Sequence, residues 1–152
     1  MYLEEDISLI IPCFNHQNEV VKLLEYLDKK KIFFGEILVI DSTNVKLNLS
    51  KENFLNKIKY IYEKNCLPGK ARNIGVKNSK GKILAFLDCN TTPEITWTYE
   101  YLNILNCNSI VSILGKCKAI HNNNFNYVLR ASSYGDQAFS SLPGTMILKS
   151  EF

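Results

Sequence analysis

The sequence has little charge of one sign to spare. Its 18 basic and 15 acidic residues leave a net charge of +3 over 152 residues. That is too mild to point to nucleic acid or an anionic membrane surface as a partner. No apolar run is long enough to span a bilayer, and no membrane association is evident in the chain. The start, MYLEEDIS, is acidic, unlike a signal or transit peptide, so the expected location is cytoplasmic. The five cysteines, Cys13, Cys66, Cys89, Cys107 and Cys117, are odd in number and form no C-x-x-C pair. That argues against a zinc site or a disulfide framework and for buried or half-buried reduced thiols. The two histidines, His16 and His121, stand in loop-like contexts without a Cys or Ser partner at a catalytic spacing, which argues against a His-based nucleophile. There is no internal repeat and no linker rich in Gly, Pro or Ser, so a single domain is expected.

What is present is a hydrophobic fraction of 46% in a chain long enough for one packed core. Ile7 to Ile11 is a continuous apolar run stopped by Pro12, the pattern of a strand buried on both faces. Val20, Leu23, Leu24 and Leu27 recur at helical spacing, which predicts an amphipathic helix from about Gln17 to Lys30. EILVID, from Glu36 to Asp41, is a second buried strand. IKYIYEK, from Ile58 to Lys64, alternates and suits a strand nearer an edge. LPGKARNIGVKNSKG predicts a helix, with Pro68 in its first turn, a narrow packing face at Ala71, Ile74 and Gly75, and a stop at Gly81.

KILAFLD is a fourth strand. Thr92 and Pro93 look like the N-cap and first residue of a third helix, whose core stripe would be Ile95, Thr98, Tyr99, Leu102 and Leu105. SIVSILG is a fifth strand, AIHNNNFN an Asn-rich loop, Tyr127 to Tyr134 an ambiguous segment, and TMILK a last short strand. The alternation of strand and helix predicts an α/β fold, a parallel sheet with helices on both faces.

Polar residues collect where these strands end. Strand one runs into Pro12, Cys13, Phe14 and Asn15; strand two into Asp41, Ser42 and Thr43; strand four into Asp88, Cys89 and Asn90. Strand three leads to Pro68, Gly69, Lys70, Ala71, Arg72 and Asn73. Ligands of open α/β sheets bind at the carboxyl ends of strands, so four such clusters on one sheet edge point to a cleft. Arg72 offers a planar donor fork for phosphate, and Lys70 with the helix start near Gly69 adds positive potential. Asp41 could accept N–H donors from a base and Phe14 could stack on a ring. Asp88 with the Asn90 oxygen could hold a hard divalent cation. Together these residues favour a nucleotide diphosphate. Two alternatives stay open at this point: Arg72 as a surface helix residue paired with an acid, and Phe14 as core. A Walker loop fails, since Lys64 and Ala71 stand where Gly and Ser or Thr are needed, and no G-x-G-x-x-G follows strand one.

Taken together, SLIIPCFNHQNEVVKLLEYL, EILVIDST, LPGKARNIGVKNSKGKILAFLD and, less specifically, LPGTMILKSEF resemble the family 2 glycosyltransferases in order and spacing. The resemblance covers nearly the whole chain. It implies a GT-A (Rossmann-like), mostly parallel sheet and an inverting transfer of sugar from a nucleotide-diphosphate donor, UDP-type favoured. The acceptor, whether glycan, lipid-linked or protein, is left unnamed. It implies that Pro12, Cys13 and Phe14 edge the base pocket, that Asp41 contacts the base and that Arg72 lies near the nucleotide. Asp88 would be the first acid of a D-x-D element close to ribose and to a Mn or Mg ion, and Pro143 to Met146 would border the sugar or acceptor side.

Three departures from the pattern matter. Ser42 stands where a second acid is common. The D-x-D reads Asp88-Cys89-Asn90, so one metal ligand is neutral and affinity should fall. The family's base lies in an acidic motif after the segment TMILK, whereas this chain reaches Phe152 without it. Residues 1–152 are therefore expected to form one nucleotide-sugar-binding domain, incomplete at the C-terminus and inactive alone. Asp136 and Glu151 are poor candidates for the base. The alternative is a non-catalytic nucleotide or nucleotide-sugar binding module.

Overall fold

The computed structural model describes residues 1–47, 54, 57–107, 109–118 and 139–152. Strands β1 (Ile7–Cys13), β2 (Glu36–Asp41), β3 (Ile58–Tyr62), β4 (Ile83–Phe86), β5 (Ser112–Cys117) and β6 (Phe139–Leu148) form one sheet in the order β3-β2-β1-β4-β6-β5. The helices are α1 (Gln17–Lys29), α2 (Pro68–Asn78) and α3 (Trp97–Cys107). β1 pairs in parallel with both β2 and β4, and β2 in parallel with β3. The sheet is mostly parallel, with one difference from the alternation pattern: β6 runs antiparallel to β4, and β5 antiparallel to β6.

Side-chain alternation along the central strands explains their unbroken apolar sequences. Ile7, Leu9, Ile11 and Cys13 of β1 join one buried cluster, with Val20, Leu23, Leu24 and Leu27 of α1 and Trp97, Leu102 and Leu105 of α3. Ile10 points the other way and joins Leu38, Ile40, Leu84, Phe86 and Ala71 of α2. Both faces of β1 and β2 are therefore covered, and a strand buried on both faces needs apolar residues at every position. β3, whose alternating pattern suggests an edge, is the edge strand next to β2.

Helix α2 comes unusually close to the sheet. A Cβ built on Gly75 would lie 2.5 Å from Ile10 Cγ2 and 3.0 Å from Ile40 Cδ1. Glycine at that position lets the helix backbone settle onto β1 and β2. This seating sets the height of Arg72, the residue after the inward-facing Ala71.

The third helix starts later than Thr92 and Pro93 suggest. Residues 91–94 are non-helical, and Pro93 is buried with its carbonyl accepting the Tyr26 hydroxyl at 3.0 Å. That bond anchors the segment against α1, and α3 begins at Trp97. Ile95 and Tyr99 are consequently exposed, not core, while Trp97 and Thr98 are buried. β6 is longer than TMILK and β5 begins three residues after Ser109. His121, the Asn-rich loop, the Tyr127 to Tyr134 segment and Asp136 lie outside the described residues.

Candidate functional site

The strand order places β2 and β4 on opposite sides of β1. The connections therefore reverse direction at β1, which opens a crevice beyond the carboxyl ends of β1 and β4. Cys13, the last residue of β1, is in register with Asp41, the last residue of β2. Beyond β4, Leu87 N donates to Ile10 O at 3.2 Å, which carries Asp88 alongside the end of β1. Three of the four sequence clusters thus meet at one edge.

Asp88 and Arg72 face each other across this crevice. Arg72 Nη2 donates to Asp88 Oδ1 at 2.6 Å, with the side chains 16% and 36% exposed. The two readings of Arg72 left open by the sequence resolve into a pair with an acid, and the acid is the one proposed for the site. Among the described residues, Arg72 Nε is buried and has no hydrogen-bond partner. A buried guanidinium donor without a partner costs roughly 1–3 kcal/mol, so one arm of the fork is left uncompensated. Asp88 O accepts Thr91 N at 2.9 Å, forming a turn, and within it Cys89 points inward and is buried while Asn90 is exposed.

Asp41 is fully buried and its carboxylate is saturated by the protein itself. Oδ1 accepts Thr43 N at 2.9 Å, and Oδ2 accepts Leu47 N at 2.9 Å and the Tyr60 hydroxyl at 2.5 Å. The Thr43 hydroxyl, 2.7 Å from Oδ1 and 2.6 Å from Val45 O, has one proton to give to either. Burial alone would raise the Asp41 pKa, but the bonds from Tyr60, Thr43 and Leu47 together outweigh it and hold the carboxyl below its ordinary value. Burial, and then the bond to Asp41, push the Tyr60 phenol up. In this arrangement the donors to Asp41 come from its own loop and from β3 rather than from the open cleft.

The remaining sequence candidates divide by exposure. Phe14 is 48% exposed, which settles the choice between core and surface in favour of surface. Asn15 beside it takes φ 56°, a left-handed conformation that Asn tolerates better than most residues, and this turns the chain from β1 towards α1. Pro12 is half-buried, opposite Ile40. Cys13 and Ser42 are buried, and Ser42 N donates to Cys13 O at 2.8 Å. The hydrogen bond with Cys89, and then burial, hold the Cys13 thiol above its ordinary pKa. All five cysteines are free, with Cys107 exposed. Lys70 is exposed and its ammonium lies 3.1 Å from Glu63 Oε1, a surface pair worth at most about 1 kcal/mol.

As ligands for a divalent cation, Asp88 and Asn90 are a poor set. One oxygen of the single carboxylate is taken by a guanidinium. The amide brings no charge, and among the described residues no group of three or more His, Cys, Asp or Glu is placed to hold a metal. Hard cations want six or more oxygens with several charges, so these residues do not fit a tightly held cation.

Sequence reasoning missed Tyr60, the hydrogen bonds of Thr43 to Asp41, and the identity of the acid that pairs with Arg72. Asp41-Ser42-Thr43 carries a signal that could have found Thr43, since Asp commonly accepts the N–H two residues on. Tyr60 and Arg72 reach their partners only through the strand pairing and the seating of α2, which no local pattern announces. At the other end of the sheet a cavity of about 200 Å³ is lined by Glu5, Ser8, Glu36, Lys57 and Lys80 among others. Its charges balance, and its buried carboxylate Glu36 is engaged by the Ser8 hydroxyl at 2.7 Å and by Lys80 N.

Comparison with known proteins gives a consistent result. A family model described as glycosyl transferase family 2 matches residues 8–149. The chain is 28% identical over 135 residues to the chondroitin synthase of Escherichia coli, covering 82% of this chain and 19% of that protein. Its structure is similar to Staphylococcus aureus TarS 1–349 in complex with UDP-GlcNAc, with TM-score 0.61 and 21% identity over 78% of this chain and 36% of that one. It is also similar to the mannosyltransferase PcManGT of Pyrobaculum calidifontis in complex with GDP-Man and Mn2+, with TM-score 0.63 and 14% identity over 96% of this chain and 45% of that one. At these identities the structures share the fold, which is GT-A. The chain spans less than half the length of each of these proteins. Matched along residues 8–149, the chain belongs to glycosyl transferase family 2.

Proposed function

We propose that this chain is the donor-binding part of an inverting glycosyltransferase that takes a nucleotide-diphosphate sugar, of UDP type, at the carboxyl ends of β1, β2 and β4. The observation that carries the reading is the meeting, at one sheet edge, of the Arg72–Asp88 pair with the exposed ring of Phe14. In this proposal Phe14 and Pro12 wall the base, with Cys13 and Ser42 as its buried floor. Asp41 acts indirectly, by fixing the loop from Thr43 to Leu47 that the base would meet. Asp88 accepts the ribose hydroxyls through its free oxygen, and Arg72 directs its fork at the diphosphate. Lys70 and Asn15 stand at the rim. The segment Pro143 to Met146, held by Trp97 Nε1 donating to Gly144 O at 3.0 Å, borders the sugar.

Charge develops on the leaving diphosphate as the sugar departs, and a guanidinium already in place stabilises it without reorganisation. The donor is held for in-line attack by the same contacts. Inversion also needs a base for the acceptor hydroxyl's proton, and the proposal assigns that base to no residue from Met1 to Phe152. Among the described residues no helix is long and apolar enough to cross a membrane, and the acceptor is left open.

A thermal-shift panel of UDP, GDP, CDP and their sugars tests the reading. UDP and a UDP-sugar are expected to raise the melting temperature, and Asp88→Ala to remove the rise. No response to any nucleotide would end it. A second reading, binding without transfer, is favoured by Asn90 standing where a second acid is usual. It predicts the same thermal shift with no release of free UDP when UDP-sugars and candidate acceptors are mixed with the full-length protein.

A further inference from the structure

We infer that nucleotide binding at this site does not depend on a divalent cation, because the Arg72 guanidinium occupies the place at Asp88 that a cation would take. The inference rests on the donor-site reading above and goes beyond it by assigning the counter-charge of the diphosphate to a side chain.

Three observations support it. Arg72 Nη2 lies 2.6 Å from Asp88 Oδ1, a charge-assisted contact that already neutralises the one carboxylate of the D-C-N turn. The second position of that turn is Asn90, exposed and uncharged. Together these leave a cation one partly used carboxylate and an amide, where sites for hard cations draw on several charged oxygens. The third observation is that the bond to Asp88 takes one N–H of Arg72, whose side chain is 16% exposed. A guanidinium carries five N–H donors, so Arg72 has capacity for a second anion without releasing the first.

Its position is fixed from behind. Ala71 and Gly75 press α2 onto β1 and β2, so Arg72 is set by the backbone rather than by a mobile loop. A guanidinium held this way carries one positive charge against the two of a metal ion. It needs no ligands, however, and it suits the single acid that this chain provides.

The experiment is calorimetric titration of UDP into the protein, in EDTA and in Mn2+, with Arg72→Lys and Arg72→Ala alongside. Circular dichroism and melting curves establish that each variant is folded. Electron paramagnetic resonance of Mn2+ with the nucleotide-free protein reads metal binding separately. The expected result is a Kd for UDP equal within about twofold in the two conditions, and a free Mn2+ signal that the protein does not deplete. Arg72→Ala should weaken UDP about tenfold or more, the size of a lost hydrogen bond to a charged group, and Arg72→Lys should recover only part of it. A Mn2+ requirement, or folded Arg72→Ala binding UDP as the parent does, would overturn the inference while leaving the donor site standing. Failure of UDP, GDP and CDP to bind in either condition would remove the donor site and the inference together.

Discussion

The Tyr60 hydroxyl donates to Asp41 Oδ2 at 2.5 Å, joining the end of β2 to the edge strand β3 through a buried carboxylate. The bond has a consequence for acid stability. Asp41 has its folded-state pKa below the ordinary value, so it stabilises the fold fully above the unfolded value of about 3.9. That contribution is lost as pH falls through the lower folded value. Melting temperature should therefore fall as pH drops below about 4, and Asp41→Asn should flatten this part of the curve while lowering stability at neutral pH. Tyr60→Phe removes one donor and should cost on the order of 1 kcal/mol. A pH–Tm profile unchanged by Asp41→Asn would show that the carboxylate is not held as the structure has it.

Asp41→Ala should act mainly on folding. It strands the Thr43 N–H and the Tyr60 hydroxyl proton, at roughly 1–3 kcal/mol for each one left buried, while Leu47 N keeps the Tyr60 oxygen at 3.1 Å. Asp88→Ala should differ in what it removes. It leaves the 16%-exposed Arg72 guanidinium without its acid, at roughly 1–3 kcal/mol, and it abolishes the nucleotide response, which Asp41→Ala in its folded fraction should keep. Urea melts of the two variants, with and without UDP, separate a loop anchor from a ligand contact.

Two glycines on the same helix should respond with opposite signs. A Cβ at Gly75 meets Ile10 at 2.5 Å, whereas one at Gly69 meets nothing within 4 Å. Gly75→Val should cost about 2 kcal/mol or more through overpacking and lost α2 seating. Gly69→Ala should be neutral or stabilising by up to about 1 kcal/mol. Equilibrium denaturation of both checks the pair.

Thiol accessibility gives a fourth expectation. Cys107 is exposed, while Cys13, Cys66 and Cys89 are buried. Titration of the native protein with an aromatic disulfide reagent should label Cys107 quickly and those three only on unfolding. Fast native labelling of Cys13 or Cys89 would mean that the floor of the cleft is open to solvent.

Much of this architecture is legible in sequence where burial is two-sided or periodic. Ile7 to Ile11 and EILVID read as central strands because both of their faces are packed. The α1 stripe is also plain, with Val20, Leu23, Leu24 and Leu27 all buried. The direction of β6 is not legible, because a strand's own residues do not encode which neighbour it pairs with. The start of α3 misleads for a different reason: Thr92-Pro93 is a good local cap, overruled by the Tyr26 bond to Pro93 and the burial of that ring.

Within the site, the strand ends and the acids at them are visible from sequence. Their partners are not. Arg72 and Asp88 are 16 residues apart and meet only because α2 is seated on β1 while β4 lies beside β1. Asp41 looks available in sequence, and only the β2–β3 register brings Tyr60 to it.

The proposed nucleotide site at the carboxyl ends of the strands is read out by a 15N–1H correlation spectrum of the protein titrated with UDP. Amide shifts are expected to gather at residues 13–15, 42–43 and 88–91, together with the Arg72 Nε–H signal. Shifts gathered instead at residues 5–8 and 80–82, around the cavity at the opposite end of the sheet, would contradict it.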